Sequence, residues 1–598
     1  MAIPNRNEVP EELKWDLTRI FKNDEEWEQA YAAAQEKIDQ LGELKGTLAK
    51  SGKDLYEGLT KILAVKREVE NIYVYATMSS DVDTANSHYL GYVSRVQSLA
   101  NQFEAATSFI NPEILSIPSD KLAEFKQAEP RLKNYAHYLE MITNKRPHTL
   151  PAEQEKLIAD AGDALGVSEN TFNVLTNSDM EYGYVQDDDG NMEQLSDGLY
   201  SLLIQSQNRE VRKGAFDTLY ATYSQFQNSL ASTLSGVVKK HNYNAKAHKY
   251  DSARQAALAE NGVPEAVYDT LIQEVDSHLD LLHRYVALRK KILGLKDLQM
   301  WDMYVPLTGK PSLSYNFEEA KEVAKKALKP LGEDYLKHVD YIFNNRVIDP
   351  IESKNKVTGA YSGGAYDTDP YELLNWEDNI DSLYTLVHET GHSVHSWYTR
   401  NTQPYVYGDY PIFVAEIAST TNENILTEYF LDHITDPKTR AFILNYYLDS
   451  FKGTLFRQTQ FAVFEQFLHE ADAKGEPLTA DTLDDVYGQI NQHYYGDSVE
   501  PGGDIALEWS RIPHFYYNFY VYQYATGFAA ATALANKVVH GTPAERDAYL
   551  GFLKAGSSDY PTEIMKRAGV DMTKPDYLED AFKTFEKRLN EFESLIEK

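Results

Sequence analysis

Residues 378–398, DNIDSLYTLVHETGHSVHSWY, decide how the rest of the chain is read. Leu383, Leu386, Val387, Thr390, Val394 and Trp397 recur at three- and four-residue steps, the period of a buried helical face. Asp381 or Ser382 is placed to cap the start of that helix with a side-chain oxygen. Residues four apart on a helix stand one above the other, so His388 and His392 can grip one metal ion without bending the backbone. Glu389 lies roughly 100° around from His388. That puts it beside the ion's open position, where it can take a proton from a water held there. The same H-E-x-x-H string also fits an amphipathic helix with two buried, hydrogen-bonded histidines and no metal. A third ligand separates the two.

Residues 411–430, PIFVAEIASTTNENILTEYF, supply a candidate. Phe413, Val414, Ile417, Thr421, Ile425, Leu426 and Tyr429 make an apolar stripe. Glu416 is one residue off it, on a face with Thr420 and Glu423. Two helices joined by the short 405–411 loop can pack side by side, so Glu416 can complete a His–His–Glu zinc site. Glu423, two turns on, can accept the free ring N–H of a ligand histidine and fix its tautomer. Both glutamates also read as solvated charges, although the Phe-Val-Ala-x-Ile-Ala setting of Glu416 is apolar. His395 is about 10.5 Å along the axis from His388, too far to share the ion. It reads as a substrate-contacting or structural histidine. The metzincin pattern needs glycine and histidine three and six residues after the second ligand; this chain has His395 and Tyr398 there.

H-E-T-G-H-S-V-H followed by F-V-A-E-I-A-S-T-T-N-E resembles the thimet oligopeptidase family of zinc peptidases, and within it the bacterial branch called oligoendopeptidase F. The family pattern is H-E-x-G-H-x-x-H, then a glutamate some two dozen residues on, inside E-x-x-S-x-x-x-E. Glu416, Ser419 and Glu423 match that second motif, Glu416 standing 24 residues after His392. The resemblance implies one Zn2+ per chain on His388, His392 and Glu416, with Glu389 as general base and unstructured oligopeptides as substrates. It implies a mainly α fold: a two-part helical body enclosing a deep cleft, with a minor β component near the zinc site. In chain order the division expected is an N-terminal helical domain over 1–200, a wall or lid of the cleft, and a catalytic domain over 201–598.

Composition narrows the setting. The chain has 598 residues, a formal charge of −33 and no cysteine. So acidic a chain argues against nucleic acid or an anionic membrane as partner. Without cysteine there is no disulfide framework, thiol nucleophile or thiolate metal site, which fits a reducing cytoplasm. The first residues, MAIPNRNEVPEELKWDL, carry acids and prolines where a signal peptide has a basic and then an apolar run. No stretch approaches the 18 apolar residues of a membrane span.

Before the motif, 25–43, 53–80, 86–111, 119–142 and 151–165 read as helices, then 208–242, 264–293 and 317–342. A hairpin turning near Asp189–Gly190 follows Asp179. Residues 299–307 read as a short strand or extended run. Residues 344–376, rich in Gly, Pro, Asp and Tyr, read as two or three short strands leading into the motif helix. An extended peptide can add to a strand edge there.

Beyond it, 437–475 and 478–495 read as helices, and residues 508–534, EWSRIPHFYYNFYVYQYATGFAAATAL, as one aromatic-rich helix. Most of these rings read as core, but a buried tyrosine hydroxyl needs a partner, and the cluster can supply donors for an oxyanion. By the family likeness His514, Tyr520 and Tyr524 correspond to a histidine and tyrosines that face the zinc. Gly527 stands where some relatives have a further tyrosine, and Tyr517 and Tyr522 remain alternatives. Two other classes stay open on sequence alone: a zinc hydrolase of a non-peptide amide, and a helical binding or scaffold protein with an accidental motif.

Overall fold

The computed structural model describes residues 3–309 and 313–596. Helix makes up 72% of the chain and strand 3%, the mainly α class expected. The chain folds into two compact units. One is built from Met1–Pro147, Leu313–Tyr429 and Leu534–Gly569, the other from His148–Ser312, Phe430–Ala533 and Val570–Lys598. Each unit takes three separate segments, whereas 1–200 and 201–598 is a division along the chain.

The first unit starts with the helices Asp24–Leu41, Gly52–Asp81 and Ser87–Thr107, each begun by a side-chain cap from Asn23, Ser51 and Asn86. Trp27, Leu55, Ile62, Leu99 and their neighbours bury one continuous core between them. The helix expected over 119–142 is interrupted at Pro130, where a 3-10 turn replaces it. Two long helices follow later in this unit: Ile380–Thr402, carrying the H-E-x-x-H residues, and Ile412–His433, whose last turn runs past Tyr429. The cap of the first is Asn379, which accepts the Ser382 N–H, not Asp381 or Ser382.

Beside the motif helix lies a three-stranded sheet, Ile348–Asp349, Tyr371–Leu373 and Tyr361–Gly363, with Tyr371–Leu373 in the middle. The first pair is parallel and the second antiparallel, with Ser362 opposite Glu372. Tyr361–Gly363 is therefore an outer strand. Asp349 is fully buried and matched by Lys356 at 2.8 Å and by Arg6, which ties the start of the sheet to the N-terminus.

The second unit is organised on Arg209–Ala247, a 39-residue helix packed against Arg457–Ala473. The hairpin is present, Tyr184–Gln186 against Met192–Gln194, with Gly190 at φ 89° in its turn. Three expectations here are corrected. Residues 299–307 contain a 3-10 turn at Met300–Asp302 and no strand, because Asp302 is drawn inward by Arg209 and Arg212. The 264–293 helix is two, Glu265–Ser277 and Leu279–Ile292, parted at His278. The aromatic stretch is not one helix: 3-10 turns cover Asp504–Arg511 and Pro513–Tyr516, and the α-helix starts only at Tyr522. Pro513 cannot donate to a helical ladder, and Asn518 and Phe519 have left-handed backbone.

Candidate metal and catalytic site

The motif helix buries residues around most of its circumference, Leu383, Leu386, Val387, Thr390, Ser393 and Val394 among them. Its partner helix comes unusually close at Gly391. A Cβ there would lie 2.7 Å from Ser419 Cα and 3.0 Å from the Ala418 carbonyl oxygen, so no other residue fits without separating the helices. Asn422 donates to the Val387 carbonyl at 3.2 Å and Tyr384 meets Thr427 Oγ1 at 2.9 Å, clamping the pair on either side. The close approach brings Glu416 over the two histidines.

His388 Nε2 is 3.3 Å and His392 Nε2 3.4 Å from Glu416 Oε2, and one ligand atom from each of the three lies within 4.8 Å of the others. Among the described residues this is the one His/Asp/Glu group close enough to hold an ion. Zinc bound at 2.0–2.1 Å in a tetrahedron spaces neighbouring ligand atoms by roughly 3.3–3.4 Å. Glu423 Oε1 takes the other ring nitrogen of His388 at 2.6 Å. With the proton on Nδ1, a neutral His388 turns its Nε2 lone pair on the Glu416 carboxylate, so either a second proton or a metal cation belongs between them. The donor set fits a divalent metal. Ser419 Oγ, 3.1 Å from Glu416 Oε2, holds that carboxylate in place.

Burial disfavours charge on His388, yet Glu416 and Glu423 override it and hold the imidazole well above its ordinary pKa. Burial likewise acts against the Glu416 carboxylate, and the two histidines pull it far below its usual range. Glu389 behaves differently. It is buried, 7% exposed, and burial pushes its carboxyl up despite the two histidines and the Ser362 N–H. One acid is thus held as an anion among the ligands while its neighbour is inclined to take a proton.

Three residues at this site were not singled out from the sequence. Gly391 had a signal, a glycine inside a strongly helical run. Glu372, on the central strand, is fully buried, and burial pushes its carboxyl up to about 8. Ser362 on the outer strand meets Ser393 of the motif helix, Oγ to Oγ, at 2.9 Å. Neither had a local signal, since both gain their place only from the sheet. His395, left between two roles, is fully buried and stacked on Tyr410 with ring centroids 3.7 Å apart. It is packing.

The second unit carries the other predicted residues. His514, Tyr520 and Tyr524 form a cluster of half-buried rings, His514 to Tyr520 6.2 Å, His514 to Tyr524 6.0 Å and Tyr520 to Tyr524 5.4 Å between centroids. Burial holds the His514 imidazole below its ordinary pKa, so it is neutral near pH 7 and can donate one N–H. Of the alternatives, Tyr522 is 1% exposed and belongs to the core, while Tyr517 is 49% exposed.

Residues 202–584 match the family model described as Peptidase family M3, and residues 113–182 one described as Oligopeptidase F. The chain is 50% identical over 597 residues to oligopeptidase PepF of Bacillus subtilis (strain 168), covering 100% of this chain and 89% of that one. It is also 50% identical over 595 residues to the plasmid oligoendopeptidase F of Lactococcus lactis subsp. cremoris, covering 99% of each. A solved oligoendopeptidase-F from Enterococcus faecium superposes with a TM-score of 0.76 at 45% identity, over 96% of this chain and 99% of that one. A solved structure from Chlamydophila abortus superposes with a TM-score of 0.92 at 34% identity, over 99% and 100%.

Proposed function

The chain belongs to peptidase family M3 and is a metalloendopeptidase, and from that premise we propose that it is a zinc enzyme that cuts unstructured oligopeptides in the cytoplasm, with Glu389 as the proton acceptor. The resemblance read from the two motifs is borne out at the level of the family, and with it the accidental-motif scaffold falls away. What carries the finer reading is one observation: three ligand atoms converge, and the acid beside them in sequence, Glu389, is not among them.

When bound, zinc polarises the scissile carbonyl and lowers the pKa of its water toward ~7. The chain's residues do the rest. His388, His392 and Glu416 hold the ion, and Glu423 fixes the His388 tautomer. Glu389 takes the proton of the attacking water and passes it to the leaving amine. By the family likeness, Tyr520 and Tyr524, with His514, are the residues to donate to the oxyanion of the tetrahedral intermediate. The direct test is cleavage of a quenched peptide by metal-stripped and zinc-restored enzyme. Restored cleavage supports the reading, and hydrolysis of simple amides with peptides untouched would replace it with the non-peptide alternative.

Two results are expected for the substrate side. Tyr→Phe at 520 and at 524 removes one hydroxyl each and should lower kcat by roughly 10²–10³ with KM little changed, the mark of a donor used only in the transition state. If both changes are silent, the oxyanion is stabilised elsewhere, with exposed Tyr517 the next to test.

The second concerns substrate form. An extended peptide has its own main-chain groups free to be bound along the outer strand Tyr361–Gly363, even with the Ser362 N–H turned to Glu389, whereas the backbone of a folded domain is already paired. A peptide should be cut when free and spared when the same sequence sits inside a stably folded host. Equal rates for both would remove the extended-chain requirement.

A further inference from the structure

Tyr520 does not stand on the helix that follows it; the chain delivers it from a turn. Asn518 and Phe519, the two residues before it, have φ of 51° and 59°. Left-handed backbone is disfavoured for any residue with a Cβ, and two in succession, neither of them glycine, persist only where the surroundings hold them. The holding group is Glu465, on the helix Arg457–Ala473. Its side chain is fully buried, and its Oε1 accepts the Phe519 N–H at 2.6 Å. Without that acceptor the N–H would be a buried orphan. One turn further along the same helix, His469 packs against the Phe519 ring at 4.5 Å between centroids, and Tyr268 meets that ring edge-on at 5.8 Å. Backbone and side chain of Phe519 are therefore both gripped.

We propose that Glu465 is a positioning residue for the reaction: by accepting the Phe519 N–H it holds the left-handed pair that sets Tyr520 among Tyr524 and His514, and so it controls the rate of peptide-bond cleavage. This rests on Tyr520 being an oxyanion donor. Burial pushes the Glu465 carboxyl up to about 8, which favours the neutral acid at pH 7, and glutamine is close to isosteric with it.

The test uses the full zinc-loaded chain and measures kcat and KM on a quenched peptide, zinc content and the thermal midpoint. E465Q keeps both length and acceptor and should stay within about twofold of the parent. E465M removes the acceptor, and E465D withdraws it by one methylene. Each should lower kcat roughly 10–100-fold, the scale of a small misplacement, with KM and zinc content little changed. In a Y520F background neither should lower kcat further, because the group being positioned is already gone. Parental kcat in E465D, or the same loss with and without the Tyr520 hydroxyl, overturns the positioning role. A silent Y520F instead overturns the donor reading itself, and this proposal with it. If E465M does not fold, E465D against E465Q decides, since both keep a polar group in the pocket.

Discussion

Glu389→Gln lowers turnover by at least ~10², and by up to ~10⁴, while the metal content of the enzyme stays at the parental level. The substitution keeps shape and volume and replaces the proton acceptor with an amide that cannot take a proton at neutral pH. Glu389 is not one of the converging ligands, so the ion's hold is left intact. The loss corresponds to roughly 3–5 kcal/mol of transition-state stabilisation. Because substrate binding does not use the proton transfer, kcat falls and KM does not rise. The measurement is steady-state cleavage alongside metal analysis of the same sample. Near-parental turnover with metal bound would take the base role away from Glu389.

Replacing His388, His392 or Glu416 by alanine removes metal and activity together. Each supplies one of three atoms grouped within 4.8 Å, and two protein ligands leave an ion too loosely held to survive dialysis against a chelator. Cleavage should fall by more than ~10³ in all three, because both the Lewis acid and the acidified water go with the ion. Glu423→Gln provides the graded comparison. Glu423 reaches the metal only through His388 Nδ1, at 2.6 Å, so its loss should weaken metal affinity by about 10–100-fold and be rescued by added zinc. If Glu416→Ala kept full affinity and activity, the third ligand would have to be another acid, Glu423 first.

How much of this is local explains what could be read in advance. The meeting of His388 and His392 is a property of one helix: an i, i+4 pair stands on one face whatever surrounds it, so the sequence alone determined it, along with the mainly helical class. The hairpin turn near Asp189–Gly190 was legible for the same reason, as turn chemistry within a few residues. Glu416 was legible as a candidate because it is an acid in an apolar setting on the next helix, and its spacing also matched a known motif. Whether it reaches the histidines was decided by the bare Cα of Gly391 against Ser419, a contact between two helices.

The aromatic stretch failed as a helix because its decisive interactions are not local. The periodicity of 508–534 is helical, yet Pro513 and the left-handed pair at 518 and 519 break it. That pair is held by Glu465, 54 residues earlier in the chain, and nothing in the run of aromatics carries that information. The burial that sorts core Tyr522 from half-buried Tyr520 and Tyr524 is likewise a sum over neighbours distant in sequence. So the sequence by itself determined which side chains stand on one helical face and what chemistry they can do. Tertiary structure decided which acid meets them, which histidine is enclosed, and where each tyrosine sits, because close approach, burial and backbone strain exist only once remote segments are in contact.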